Sequence, residues 1–222
     1  MNLRLDWCSH EAAKYAVENW HYSKRMPKFK QVYIGVWEKN DFIGVVIFGL
    51  SVTPYLGDAF NLRNTECAEL TRIALREHIT PVSRIVKIAL KMIQKQSPGL
   101  KLIVSYADPF QGHNGAIYQA GNWIYMGQSA PMTQYYWRGQ WRNDSPMFRH
   151  FKSYPQEKVK SKSRKLPAKY KYLMPLHSDI REQMEKYRQP YPKRPKQATS
   201  PVQGDSGGAA PTRTLQNKQV IT

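Results

Sequence analysis

The chain has 222 residues, 41% of them hydrophobic, enough for one domain of ordinary size with a real core. It carries 34 Lys and Arg against 16 Asp and Glu, a net charge of +18 that favours a polyanionic partner such as nucleic acid. No window approaches the ~20 apolar residues of a membrane span, the opening residues do not read as a signal peptide, and Cys8 and Cys67 form no CxxC pair, so a cytoplasmic protein with buried, reduced thiols is expected.

Ser9 is placed to cap a helix over residues 10–20, with Ala12, Tyr15, Ala16 and Trp20 on one stripe. It runs into Trp20-His21-Tyr22-Ser23-Lys24-Arg25-Met26-Pro27, a loop dense in functional groups. Apolar strands follow at 32–37 and 42–48, joined by the polar turn Glu38-Lys39-Asn40-Asp41. Both are apolar on both faces and are expected in the covered middle of a sheet. Residues 67–75 read as another strand, on which regular alternation sets Glu69 and Thr71 on one face and Leu70 and Arg72 on the other. Arg is seldom buried without a partner. Arg72 therefore needs a carboxylate, a phosphate or another anion, with Asp108 as one candidate and Glu69 disfavoured by the alternation. Thr80 is expected to cap the next helix with Pro81 in its first position, and Val82, Ile85, Val86, Ala89 and Ile93 make its buried stripe.

Residues 100–106 form an apolar strand that ends at Asp108-Pro109, where Pro109 favours extended geometry in its predecessor. A polar, glycine-bearing turn at 111–115 leads to a short helical stripe of Ala116, Ile117 and Ala120, stopped by Gly121-Asn122. Another strand starts at Trp123. Asp108 thus stands at the carboxyl end of a strand facing a helix start, where open α/β sheets place ligands. Tyr106, His113, Asn114 and Tyr118 share this turn. The plain alternatives are a capping role for Asp108, turn formation for His113 and Asn114, and core packing for Tyr118.

Residues 123–154 hold nine aromatics interleaved with Arg and Lys, and a basic run follows at 158–165. Aromatics that stack bases beside cations that hold phosphates suit a nucleic-acid surface. On this reading Trp137, Arg138, Trp141, Arg142, Arg149, Lys152, Lys158, Lys160 and Lys162 contact DNA; the alternative for the aromatics is an ordinary core. Residues 170–174 read as a last strand. Residues 1–177 are expected to form the catalytic domain and 178–222 a basic tail, largely disordered beyond about 188, where large apolar residues nearly vanish. Residues 151–222 hold 16 basic and 5 acidic side chains, +11 of the net +18, so a purely solubilising basic segment is the competing reading.

The fold class expected is α+β, a mixed, mostly antiparallel central sheet flanked by helices. The element order resembles the Gcn5-related N-acetyltransferase (GNAT) fold, which would place a coenzyme on Thr80, Val82 and Ser83, although residues 76–83 contain no glycine to admit a pyrophosphate. Spacing shows no HxH, HExxH or CxxC metal motif.

Trp20-His21-Tyr22-Ser23, Glu69-Leu70-Thr71-Arg72, Ser105-Tyr106-Ala107-Asp108 and Gly112-His113-Asn114-Gly115-x-Ile117-Tyr118-Gln119-Ala120-x-Asn122-Trp123 together resemble the Mom family of phage and prophage DNA-modification proteins, over roughly residues 5 to 176. The resemblance implies an acetyltransferase-like fold and conversion of the adenine exocyclic amine to a carbamoylmethyl (glycinamide-like) group, which protects DNA from host restriction. It implies catalytic roles for His21, Tyr22, Arg72, Asp108 and Tyr118, and DNA as the partner, with the adenine flipped or single-stranded. It leaves the cofactor open between acetyl-CoA and an iron ion, with His21 and Asp108 as the metal ligands, and leaves the oligomeric state open, a dimer included. Two other classes stay open: an acetyltransferase acting on a protein or small amine, and a non-catalytic basic DNA-binding protein.

Overall fold

The computed structural model describes residues 2–50, 57–137, 139–143 and 162–193. Strand β1 (Leu3–Trp7) leads into helix α1 (His10–Trp20), where the Ser9 hydroxyl accepts the Ala12 N–H at 3.2 Å as the sequence anticipates. Strands β2 (Gln31–Glu38) and β3 (Asp41–Gly49) form a hairpin. Lys39 and Asn40 at its tip both have positive φ, 51° and 72°, the turn whose twist matches paired strands. Then come β4 (Cys67–Leu75), α2 (Val82–Gln96), β5 (Leu102–Ala107), the short α3 (Ala116–Ala120) and β6 (Ile124–Gln128). Strands β7 (Met132–Trp137), β8 (Gln140–Asn143) and β9 (Ser163–Leu166) precede β10 (Tyr170–Pro175) and helix α4 (Ser178–Glu185).

Seven strands make one sheet in the order β1-β2-β3-β4-β5-β10-β6, antiparallel throughout except for the parallel pair β4–β5. The mixed, mostly antiparallel sheet flanked by helices is the fold class expected. Helix α2 covers one face, packing Ile85, Val86, Ala89 and Ile93 into a core with Ile34, Phe48, Leu70 and Ile103; Tyr118 of α3 and Tyr172 join it. On the other face α1 packs Ala13, Ala16 and Val17 on Val45, Ile47 and Ala74, and α4 packs Ile180 and Met184 on Leu102, Val104 and Leu173. The remaining three strands form a separate sheet, β8-β7-β9.

Three features differ from expectation. Helix α4 and the segment after it belong to the body and not to a tail beginning at 178: Ile180 and Met184 are buried, and the Gln189 N–H reaches Tyr125 O at 2.9 Å. Each buried apolar side chain contributes about 1.5–3 kcal/mol, enough to hold a short helix whose composition otherwise looks like linker. Pro81, not Thr80, occupies the cap position of α2. Strand β4 carries a bulge: Ile47 pairs with Arg72 and Phe48 with Leu70, which leaves Thr71 as the extra residue. The bulge reverses the facing of every later side chain. Both thiols are free, Cys67 buried and Cys8 half-buried, and burial pushes each up to about 11. Among the described residues no helix is long and apolar enough to cross a membrane.

Candidate active site

The parallel strands β4 and β5 pair only through Cys67–Glu69 and Leu102–Val104. Beyond that point β4 follows β3 while β5 follows β10, and the sheet opens. A cavity of about 500 Å³ occupies the opening. It is walled by the end of α1 (Trp20) and the loop after it (His21, Tyr22), by β4 from Leu70 to Leu75, by Tyr106 and Ala107, and by the glycine-bearing loop and α3 from Gly112 to Tyr118. The structure therefore brings His21, Tyr22, Arg72 and Tyr118 together from three separated segments. No Asp or Glu is among the described lining residues, whereas one guanidinium and the imidazoles of His21, His78 and His113 are.

His21 is buried and ends α1, its N–H bonded to Val17 O. Its Nδ1 accepts the Ser23 backbone N–H at 3.1 Å and lies 2.8 Å from the Ser23 hydroxyl. A backbone N–H can only donate, so Nδ1 carries no proton and the neutral ring is protonated on Nε2. Burial, followed by the charges of Arg72, His113 and Lys24, pushes the ring down to about 4, so it is neutral at physiological pH. The arrangement makes His21 a hydrogen-bond donor through Nε2. The Tyr22 ring is half exposed, tilted against His21 at 4.2 Å and edge-on to His113 at 5.5 Å.

The β4 bulge determines what Arg72 meets. It turns Arg72 onto the α1 side of the sheet, the face that Glu69 shares, so the alternation that had separated these two residues does not hold. Burial lowers the guanidinium pKa, opposed by Tyr22 and Glu69. One terminal nitrogen donates to Thr71 O at 2.7 Å, and buried Nε has no hydrogen-bond partner among the described residues. A cationic group with spare donors, on a cavity wall with no Asp or Glu among its described lining residues, is suited to holding an anion.

Tyr118 lies in the floor. The Ser105 hydroxyl is 2.9 Å from Leu70 O and 2.8 Å from the Tyr118 hydroxyl. Ser105 has one hydrogen, and the carbonyl can only accept it, so Tyr118 donates to Ser105. Burial pushes the phenol up to about 12 and keeps it protonated. Its ring packs on Trp123 and Tyr172, each 5.0 Å away, so it is both core and cavity wall.

Asp108 is buried but does not line the cavity; its neighbour Ala107 does. Its Oδ1 accepts the Phe110 N–H at 3.0 Å and its Oδ2 pairs with Lys169 at 3.2 Å, not with Arg72. An iron ion on His21 and Asp108 would need the Nε2 proton removed and the carboxylate withdrawn from Lys169. Among the described residues no group of three or more His, Cys, Asp or Glu is gathered, so this donor set does not fit the metal.

The start of α2 is also engaged. The carboxylate of Glu38, at the end of β2, accepts the N–H groups of Ile79 at 2.8 Å and Thr80 at 2.9 Å and the Thr80 hydroxyl. The Thr80 hydroxyl and then the Ile79 N–H hold the Glu38 carboxyl below the usual range. Thr80 thus has no group left for a coenzyme phosphate; Val82 lines the cavity and Ser83 does not. Nothing local in the sequence marks Glu38 for this role, because its partners lie some forty residues away.

The three-stranded sheet carries cations stacked on rings. Arg164 lies 4.3 Å from the Trp141 ring, Lys162 lies 4.6 Å from Tyr136, and Tyr136 meets Trp141 edge-on at 5.4 Å. Arg142 is exposed beside them. Arg164 and Tyr136 extend the expected set; the interleaving of aromatics and cations was the signal for them. Of the other expected DNA contacts, Arg138, Arg149, Lys152, Lys158 and Lys160, and the side chain of Trp137, lie outside the described residues.

Comparison with known proteins places this chain in a family. Solved structures similar to it include the aminoglycoside acetyltransferase AAC(6')-Ib in complex with coenzyme A and kanamycin (8% identity, 82% of this chain and 98% of that one, TM-score 0.49) and a Bacillus subtilis acetyltransferase in complex with CoA (11%, 79% and 100%, TM-score 0.43). The methylcarbamoylase mom of Escherichia phage Mu is 30% identical over 149 residues, which cover 65% of this chain and 61% of that protein. The Mom protein family model matches residues 2–193, most of the chain. The chain belongs to the Mom protein family.

Proposed function

We propose that this chain modifies DNA, converting the exocyclic amine of adenine to a carbamoylmethyl group and so protecting the DNA from restriction in the host cytoplasm. The carrying observation is a cavity lined by His21, Tyr22, Arg72 and Tyr118, with no Asp or Glu among the described lining residues, in a chain of the Mom family. Its volume of about 500 Å³ lies in the range of small-molecule sites. The adenine amine is inaccessible to such a cavity within a duplex, so the base enters flipped or from a single strand. The stacked cations and rings of the three-stranded sheet suit the strand that carries it.

The product restricts the chemistry. Acyl transfer would join the amine to a carbonyl carbon, whereas a carbamoylmethyl group attaches through a methylene with its amide at the far end. An acetyltransferase-like fold is here used for another reaction, as folds commonly are. In this reading Arg72 holds an anionic group of the donor, the Nε2–H of His21 donates a hydrogen bond at the reacting end, and Tyr118 and Ser105 fix the floor. The engaged Glu38 carboxylate weighs against an ordinary coenzyme A-dependent acetyltransferase, because pyrophosphate would have to displace it.

Mass spectrometry of nucleosides from DNA of cells expressing the chain tests the proposal. A modified deoxyadenosine bearing the carbamoylmethyl group is expected. Unmodified nucleosides alongside acetylation of a protein or small amine would overturn it.

A further inference from the structure

We propose that Phe110 is an aromatic wedge that enters the DNA stack beside the extruded adenine and fills the gap the base leaves. This rests on the DNA-modification reading and adds a residue and a step to it.

Phe110 is a large apolar side chain left 51% exposed. It stands on the 3-10 turn Pro109–Gln111, and the support is stiff. Pro109 fixes its own φ, Asp108 Oδ1 accepts the Phe110 N–H, and Asp108 O accepts the N–H groups of Gln111 at 3.0 Å and His113 at 3.1 Å. Lys169 clamps the same carboxylate from the strand side. A ring meant only to pack in a core needs no such scaffold. A ring that must push between bases does, because a mobile one would yield first.

Its position matters as much. The residues directly after the turn, Gly112, His113 and Asn114, wall the cavity, so the ring stands at the lip. On its other side the Arg164 guanidinium lies 5.6 Å from Phe110 and 4.3 Å from Trp141. The order across the surface is cavity, exposed ring, shared cation, stacked sheet. Extruding a base costs stacking and leaves a hole, and an inserted apolar side chain offsets that cost. The Arg164 guanidinium, 5.6 Å from the ring, can hold a phosphate beside such a hole, in a chain whose net charge of +18 attracts DNA. Asp108, in this light, is a positioning residue for the wedge.

The test uses the full chain and duplexes with 2-aminopurine, dark when stacked and bright when extruded, in place of the adenine found modified. The wild type is expected to bind and brighten the duplex. Phe110→Ala is expected to bind within about threefold of wild type yet lose about fivefold or more of the brightening, Phe110→Trp to restore it, and Phe110→Ala to modify single-stranded DNA normally while slowing on duplex by about tenfold. Equal brightening by wild type and Phe110→Ala, or wild-type binding without brightening, overturns the wedge and leaves the DNA reading standing. Absence of any DNA binding by the wild type overturns both.

Discussion

His21 and Ser23 are locked into one protonation arrangement, because the Ser23 N–H can only donate and His21 Nδ1 must accept it across 3.1 Å. The ring sits near pKa 4 when folded and near about 6.5 when unfolded. Between those values the unfolded chain binds the extra proton, so this contribution to stability is whole above about pH 6.5 and declines as pH falls towards about 4. Urea midpoints measured at about pH 7 and about pH 5 should fall for the wild type, and fall less for His21→Gln, which keeps an acceptor for Ser23 but does not titrate.

Arg72 is held at the cavity against a desolvation cost that leads the influences on it. Arg72→Met fills similar volume without a charge, so unfolding free energy should stay within about 1 kcal/mol of wild type or rise. Modification should fall by about 100-fold or more, and Arg72→Lys should recover little of it, since a single ammonium lacks the fork of donors. A variant that lost stability in step with activity would assign Arg72 to the framework instead.

Asp108 separates two roles cleanly. If it positions the Phe110 turn, Asp108→Asn keeps the acceptor for the Phe110 N–H and should retain modification within about tenfold, whereas Asp108→Ala loses both contacts and should fall further. If the carboxylate ligated a metal or took a proton, both changes would be equally disabling. Comparing the two rates on one DNA substrate decides.

Gly115 opens α3 in the left-handed region at φ 80°, and a Cβ there would run into the Tyr172 ring. Both the backbone and the contact oppose any side chain. Gly115→Ala should cost about 2–4 kcal/mol in denaturant unfolding and weaken modification through the displaced wall.

Charges on the three-stranded sheet should declare themselves through salt. Removing Arg142, Lys162 or Arg164 singly should lower the slope of log affinity against log salt by about 1 if each meets a phosphate. Unchanged slopes would remove this face from the DNA path.

Much of the body was legible because it follows local rules. The Ser9 cap and the 3.6-residue period marked α1 at 10–20, although the buried stripe is Ala13, Ala16 and Val17, and Tyr15, expected on it, is exposed; the apolar runs around Glu38-Lys39-Asn40-Asp41 marked the hairpin. The His21, Tyr22, Arg72 and Tyr118 grouping came through family resemblance, since no spacing rule links three distant segments. What stayed hidden was long-range. The bulge at Thr71 reverses the facing of Arg72, yet only the register against Ile47 and Phe48 reveals it. Glu38 looked like one half of a polar turn, and its bonds to Ile79 and Thr80 depend on tertiary approach. Helix α4 had a signal, Ile180 and Met184 at i and i+4, which the surrounding polar composition obscured.

Strand β10 is translated after β6 yet inserted between it and β5, and its Tyr172 supports Tyr118 and donates to Asn114 O at 2.8 Å. The ribosome must therefore deliver almost the whole described chain before the reactive chamber exists, since a partner this distant in sequence closes the fold late. A nascent product stopping short of residue 170 carries positive charge but lacks the Tyr172 ring that packs on Tyr118.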